Sequence, residues 1–122
     1  MFIRFVVGGE DESHRLLTGL VTEARILRDT GALASYEVEL LEATYDWLNQ
    51  RLPCPPFSSA GWSRDAVSWF KDSANDAIKQ MRKLAVLLES HGLLVRKLRS
   101  GNPGKVRYED RFQVVVEEWT RL

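Results

Sequence analysis

The sequence predicts a single α+β domain, a mixed sheet of about five strands with three helices. Three observations predict it. Apolar residues recur at helical spacing in three stretches, Leu16–Leu27, Val38–Leu48 and Ala77–Leu88. Between and around them lie short runs rich in β-branched and aromatic residues, near 2–7, 66–71, 93–98, 105–109 and 112–119. At 122 residues, 44% hydrophobic and 28% charged, the chain has the length and composition of one folded domain rather than a disordered or fibrous one.

The first strand spans Phe2 to Val7, with Ile3, Phe5 and Val7 on one face, and Gly8-Gly9 ends it. Ser13 then offers an N-cap behind Glu10, Asp11 and Glu12, acids that suit the positive end of a helix. Leu16, Leu20, Ala24 and Leu27 form that helix's stripe, and Gly31 stops it. A second helix starts near Ser35, with Val38, Leu41, Tyr45 and Leu48 in its stripe. It must end by Leu52, because Pro53 disfavours the helical region for the residue before it. The segment from Leu52 to Gly61 contains Pro53, Pro55 and Pro56 and reads as an irregular connection.

Ala66 to Lys71 has strand composition, so a short strand followed by a helix is preferred there over one long helix. Ser73 is the expected cap of that helix, His91 lies in its last turn, and Gly92 sits where a left-handed C-cap is wanted. Leu93 to Leu98 and Lys105 to Glu109 then read as two strands of a hairpin around Ser100-Gly101-Asn102-Pro103-Gly104. Asp110-Arg111 makes a second turn, and Phe112 to Trp119 closes the domain. The strands at either end of the 66–98 unit imply a right-handed crossover, followed by an antiparallel meander.

No stretch approaches the roughly 18 apolar residues of a membrane span. The lone cysteine, Cys54, allows no intrachain disulfide, and no secretory signal is evident, so a cytoplasmic protein is expected. Zero net charge conceals an asymmetry, since residues 1–60 carry an acidic excess and residues 61–122 a basic one. The basic excess gathers at Arg96, Lys97, Arg99, Lys105 and Arg107, which makes the expected hairpin the leading candidate for contact with phosphates. The favoured structural reading of the same cations is an open sheet edge guarded against aggregation. A winged helix-turn-helix is disfavoured by the proline-rich segment between the second and third helices.

Among the four tryptophans, Trp69 belongs with the core, and Trp62 is a candidate for a partner or base-stacking contact. Catalytic groups are few. The histidines, His14 and His91, lie far apart, neither they nor Cys54 has the spacing of a metal site, and Gly8-Gly9 has no phosphate-loop spacing after it. Lys71, Tyr108, Glu109 and Asp110 are the polar groups that a small enzyme site would use, although for Lys71 and Glu109 the favoured reading is a pair that locks neighbouring strands.

The sequence resembles a family of small bacterial proteins known only as uncharacterised. The resemblance runs over nearly the whole chain, through Phe2-Ile3-Arg4-Phe5-Val6-Val7, Leu52-Pro53, Pro55-Pro56, Ser68-Trp69-Phe70-Lys71, Gly92, Pro103-Gly104, Tyr108-Glu109-Asp110 and Gln113-Val114-Val115. It supports a single domain and implies no activity, substrate or cofactor. The expectation from the residues is a non-enzymatic module without a cofactor, binding a protein partner or a second copy of itself. Nucleic-acid or phosphate binding through residues 96–107 is the first alternative, and a small enzyme near Lys71 and Tyr108 the second.

Overall fold

The computed structural model describes residues 1–8, 18–57, 61–62 and 66–117. Strand β1 (Phe2–Val7) is followed by a two-residue strand β2 (Thr18–Gly19), then helices α1 (Leu20–Asp29) and α2 (Ser35–Arg51). Strand β3 (Val67–Lys71), helix α3 (Asn75–Ser90) and strands β4 (Val95–Ser100), β5 (Lys105–Glu109) and β6 (Gln113–Glu117) complete the chain. The α+β class, the three helices and the strand at 66–71 are as expected.

Two local details differ. Thr18 and Gly19 pair with Val7 and Val6, so α1 begins only at Leu20 rather than near Ser13. Leu16 continues the helical stripe in sequence, but at 18–19 the β1 backbone supplies hydrogen bonds that a helix there would forgo. Ser13 itself lies outside the described residues, as do Gly9, Glu10, Asp11, Glu12, His14, Leu16 and Trp119. Helix α3 is capped by Ala74 with no side-chain hydrogen bond, so Ser73 does not serve as its cap.

The connectivity also departs from a simple hairpin. Every strand pairing is antiparallel. Strand β4 pairs with β1 from Phe2↔Ser100 to Val7↔Val95, while β5 pairs with β6, so residues 96–107 do not form a hairpin. The crossover through α3 joins β3 to β4 with β1 between them, giving the order β4-β1-β3-β6-β5. Strand β2 shares with β3 the other side of β1.

A short link therefore joins opposite edges. Ser100 and Lys105 are five residue steps apart, a reach of at most about 17 Å, whereas four strand spacings in a flat sheet are about 19 Å before any displacement along the strands. The sheet must curl, and its packing shows that it does. On the face away from the helices, Phe2 and Leu98 pack against a second core of Trp69, Val114 and Val116.

The helices cover the other face. Ile3 and Phe5 of β1 meet Leu20 and Ala24 of α1, Leu41 of α2, and Ile78, Met81, Leu84, Ala85, Leu87 and Leu88 of α3. Helix α3 brings most of this core because its stripe is nearly unbroken, and Gly92 (φ 80°) turns the chain from it toward β4. At the helix ends, His91 Nε2 lies 2.7 Å from Glu37 Oε2, and Glu37 Oε1 accepts the N–H of Ala34, so one carboxylate ties the start of α2 to the end of α3. Among the described residues, no helix is long and apolar enough to cross a membrane.

Candidate binding surface

Strand β4 is an edge, and its register tells which backbone groups are open. The N–H of Gly8 donates to the carbonyl of Leu94, in register with the β1–β4 ladder. Hydrogen-bonded pairs alternate in an antiparallel ladder, so Leu94, Arg96, Leu98 and Ser100 turn their backbone groups to β1. Val95, Lys97 and Arg99 turn theirs outward, where no other described strand pairs with them.

The side chains of Lys97 and Arg99 stand on the helix-covered face, opposite Phe5 and Ile3. Arg82, on the exposed side of α3, completes a cationic group there. Lys97 is held below the usual lysine range, chiefly because partial burial disfavours its charge, and further by the positive charges of Arg99 and Arg82. Among the described residues, none of the ion pairs involves Arg82, Lys97 or Arg99. Two arginines close enough to act on the charge of Lys97, with no acid bound to any of the three among the described residues, form with it a surface suited to an anion.

The remaining cations do not join this group. Lys105 and Arg107 lie on β5 at the opposite edge, and Arg107 pairs with Glu117 at 3.2 Å. Arg96 alternates with Lys97 and so stands on the other face of β4. Arg82 was not singled out from the sequence, where it is one of several charges on the exposed side of α3. Only the packing of α3 beside β4 marks it.

Lys71 and Glu109 form a salt bridge at 2.5 Å across β6, on the face that carries Trp69 and Val114. Tyr108 stands opposite Val115 and so occupies the other face. The sheet thus separates the groups that a catalytic cleft would have to bring together. Trp62 packs edge-on against Phe57 (centroids 5.6 Å apart) and lies 6.3 Å from the Tyr108 ring, beside β5 rather than beside the β4 cations.

Asp110 and Gln113 make the best-connected polar cluster. Asp110 Oδ1 accepts the backbone N–H groups of Phe112 (2.8 Å) and Gln113 (3.0 Å), while Oδ2 accepts the Tyr108 hydroxyl (2.9 Å) and the Gln113 amide (3.1 Å). The same Gln113 amide donates to the Pro53 carbonyl at 2.9 Å, and its oxygen accepts Ser68 Oγ at 2.7 Å. These bonds pin the proline-rich connection and β3 to the β5–β6 turn. The Tyr108 hydroxyl is held above its usual range, first by its bond to Asp110 and then by burial, so it is a poor proton donor for chemistry.

Burial pushes the Asp110 carboxyl up, but the hydrogen bonds it accepts outweigh burial and hold it below the usual carboxylate value. A group depressed in the folded state adds stability above its unfolded value, near pH 4, and that stability is lost as pH falls through the folded value. Asp110→Asn is therefore expected to lower the melting temperature at pH 7 and to flatten its decline between about pH 5 and pH 2. Thermal melts across that range check this; an unflattened decline would assign the acid sensitivity elsewhere.

Beyond Ile3↔Phe70 the strands β1 and β3 separate, opening a cleft of about 300 Å³ walled by Arg4, Phe5, Leu20, Ser68, Phe70 and Met81. A smaller hollow of about 170 Å³ lies between α1 and α2, near Arg25 and Tyr45. Neither wall includes Lys71, Tyr108 or Glu109. Among the described residues, no group of His, Cys, Asp and Glu is placed to hold a metal ion. No family model, no curated protein and no solved structure matches this chain. What the edge can do follows from its own chemistry.

Proposed function

We propose that this protein is a non-enzymatic cytoplasmic binding module whose recognition surface is the cationic edge formed by β4 and the neighbouring Arg82. The observation that carries the reading is the group Arg82, Lys97 and Arg99, in which Lys97 feels the charge of both arginines and none has an acidic partner among the described residues. Folding leaves such charges together only at a cost, which a bound anion relieves. The polar residues that could serve catalysis are instead engaged in holding the turn and strands together. The exposed thiol of Cys54 accords with a reducing compartment.

A second copy of the chain is a poor occupant of this edge. Strand β4 carries Arg96, Lys97 and Arg99 and no acid, so self-pairing would set like charges opposite one another. A partner protein with acidic character fits the edge better.

The test is fluorescence anisotropy of labelled decaglutamate, titrated with the protein at roughly 50 and 200 mM salt. Binding is expected to weaken as salt rises, and Arg82→Glu with Arg99→Glu is expected to reduce affinity at least about tenfold, with the melting temperature nearly unchanged. Affinity unchanged in the double variant would sink the reading. If that variant instead self-associates while binding is unaltered, the cations serve only to guard the edge.

A further inference from the structure

We propose that the partner binds as an added antiparallel β-strand along β4, and that it is an extended segment with acidic residues at alternate positions. This inference rests on the reading of β4 and Arg82 as the recognition surface, and adds to it the form of the ligand. The outward backbone groups of Val95, Lys97 and Arg99 are spaced two residues apart, as the half of an antiparallel ladder that no other described strand occupies. An incoming strand can satisfy these groups directly, which a phosphate backbone cannot do in register.

The register also dictates the side chains. In an added antiparallel strand, the residues directly opposite Lys97 and Arg99 share their face of the sheet, the face on which Arg82 stands. Those two positions, i and i+2, call for Asp or Glu. Two residues further along, opposite Val95, the same face is apolar, because Val95 packs against the helix-side core. The intervening residues lie on the other face, beside Arg96 and Leu98. The recognised pattern is thus acid-x-acid-x-apolar, read in an extended conformation.

Nucleic acid fits the edge less well. Trp62, the aromatic candidate for base stacking, sits with Phe57 and Tyr108 beside β5, away from the β4 cations. A single-stranded oligonucleotide would meet the charges without the stacking surface that holds bases.

The experiment uses the full chain and three labelled peptides alternating Glu with Thr: one unmodified, one N-methylated at every Glu, one N-methylated at every Thr. Residues opposite Lys97 and Arg99 in an antiparallel strand point their own N–H groups at β4. Methylation at Glu is therefore expected to weaken binding at least about tenfold, through loss of two or more backbone hydrogen bonds. Methylation at Thr is expected to change affinity by no more than about twofold, since those N–H groups face away. Any other pattern among the three peptides overturns antiparallel strand addition. If all three bind equally well and Arg82→Glu with Arg99→Glu still abolishes binding, the anion-binding reading survives without the strand. Tighter binding of a single-stranded oligonucleotide than of the unmodified peptide overturns the peptide ligand, and failure of every anion to bind removes the underlying reading.

Discussion

Gly104→Ala is expected to destabilise the protein by at least about 3 kcal/mol, with a fall in melting temperature of about 10 °C or more. A Cβ at position 104 would lie 2.2 Å from the backbone oxygen of Glu117 and 2.9 Å from its carbonyl carbon. Those atoms belong to β6, whose Glu117 pairs with Lys105, the first residue of β5. No flexible side chain can yield, so either β5 or the end of β6 must move and the ladder between them opens. Hydrogen exchange gives the local signature: amides of β5 should lose protection before those of α3. Gly101→Ala provides the contrast. Nothing lies within 4 Å of a Cβ there, and the same substitution in the same link should shift stability by no more than about 0.5 kcal/mol. Equal behaviour of the two variants would contradict the close packing of Gly104 on β6.

Leu84→Ala is the second large effect, with an expected loss of about 3–4 kcal/mol in denaturant titrations. Leu84 is fully buried in the middle of α3 and belongs to the core that meets β1, α1 and α2 together. Neighbours held by three different elements cannot all collapse into the space that the missing Cγ and two Cδ groups leave behind, so a cavity term adds to the lost transfer energy. Val86, two residues along the same helix and 68% exposed, is the control, and Val86→Ala should be near neutral. A loss below about 1 kcal/mol at Leu84 would mean that the helix layer is far looser than its packing indicates.

Much of this fold is legible in the residues. The stripe Ala77-Met81-Leu84-Leu88 has one interpretation, and Gly92 and Pro53 set the helix ends by backbone geometry alone. Ser68-Trp69-Phe70 declares a strand by composition. Pairing is another matter. Two strand-like runs around Gly101-Asn102-Pro103-Gly104 carry the local signal of a hairpin, yet β4 finds β1, about ninety residues away in sequence, and β5 finds β6. The choice depends on curling of the whole sheet, a collective property that no short window contains. The candidate site shows the same division. Arg96, Lys97 and Arg99 stand out as a run of cations, while their separation from Lys105 and Arg107, and the contribution of Arg82, follow from strand order.

That strand order also bears on how the chain acquires its shape during synthesis. Strand β1 leaves the ribosome before the other described strands, but it is flanked in the finished sheet by β3 and β4, whose last residues are Lys71 and Ser100. Its apolar residues Ile3, Phe5 and Val6, all buried at the end, wait without their main ladder partner until β4 is made. At translation rates of about 5–20 residues per second, that interval is on the order of 5–20 seconds. The α-helical segments can form within it from local contacts, whereas the sheet cannot nucleate around its own centre until late. The nascent chain thus carries a sticky β1 segment until β4 has emerged, a period in which capture by a chaperone competes with aggregation.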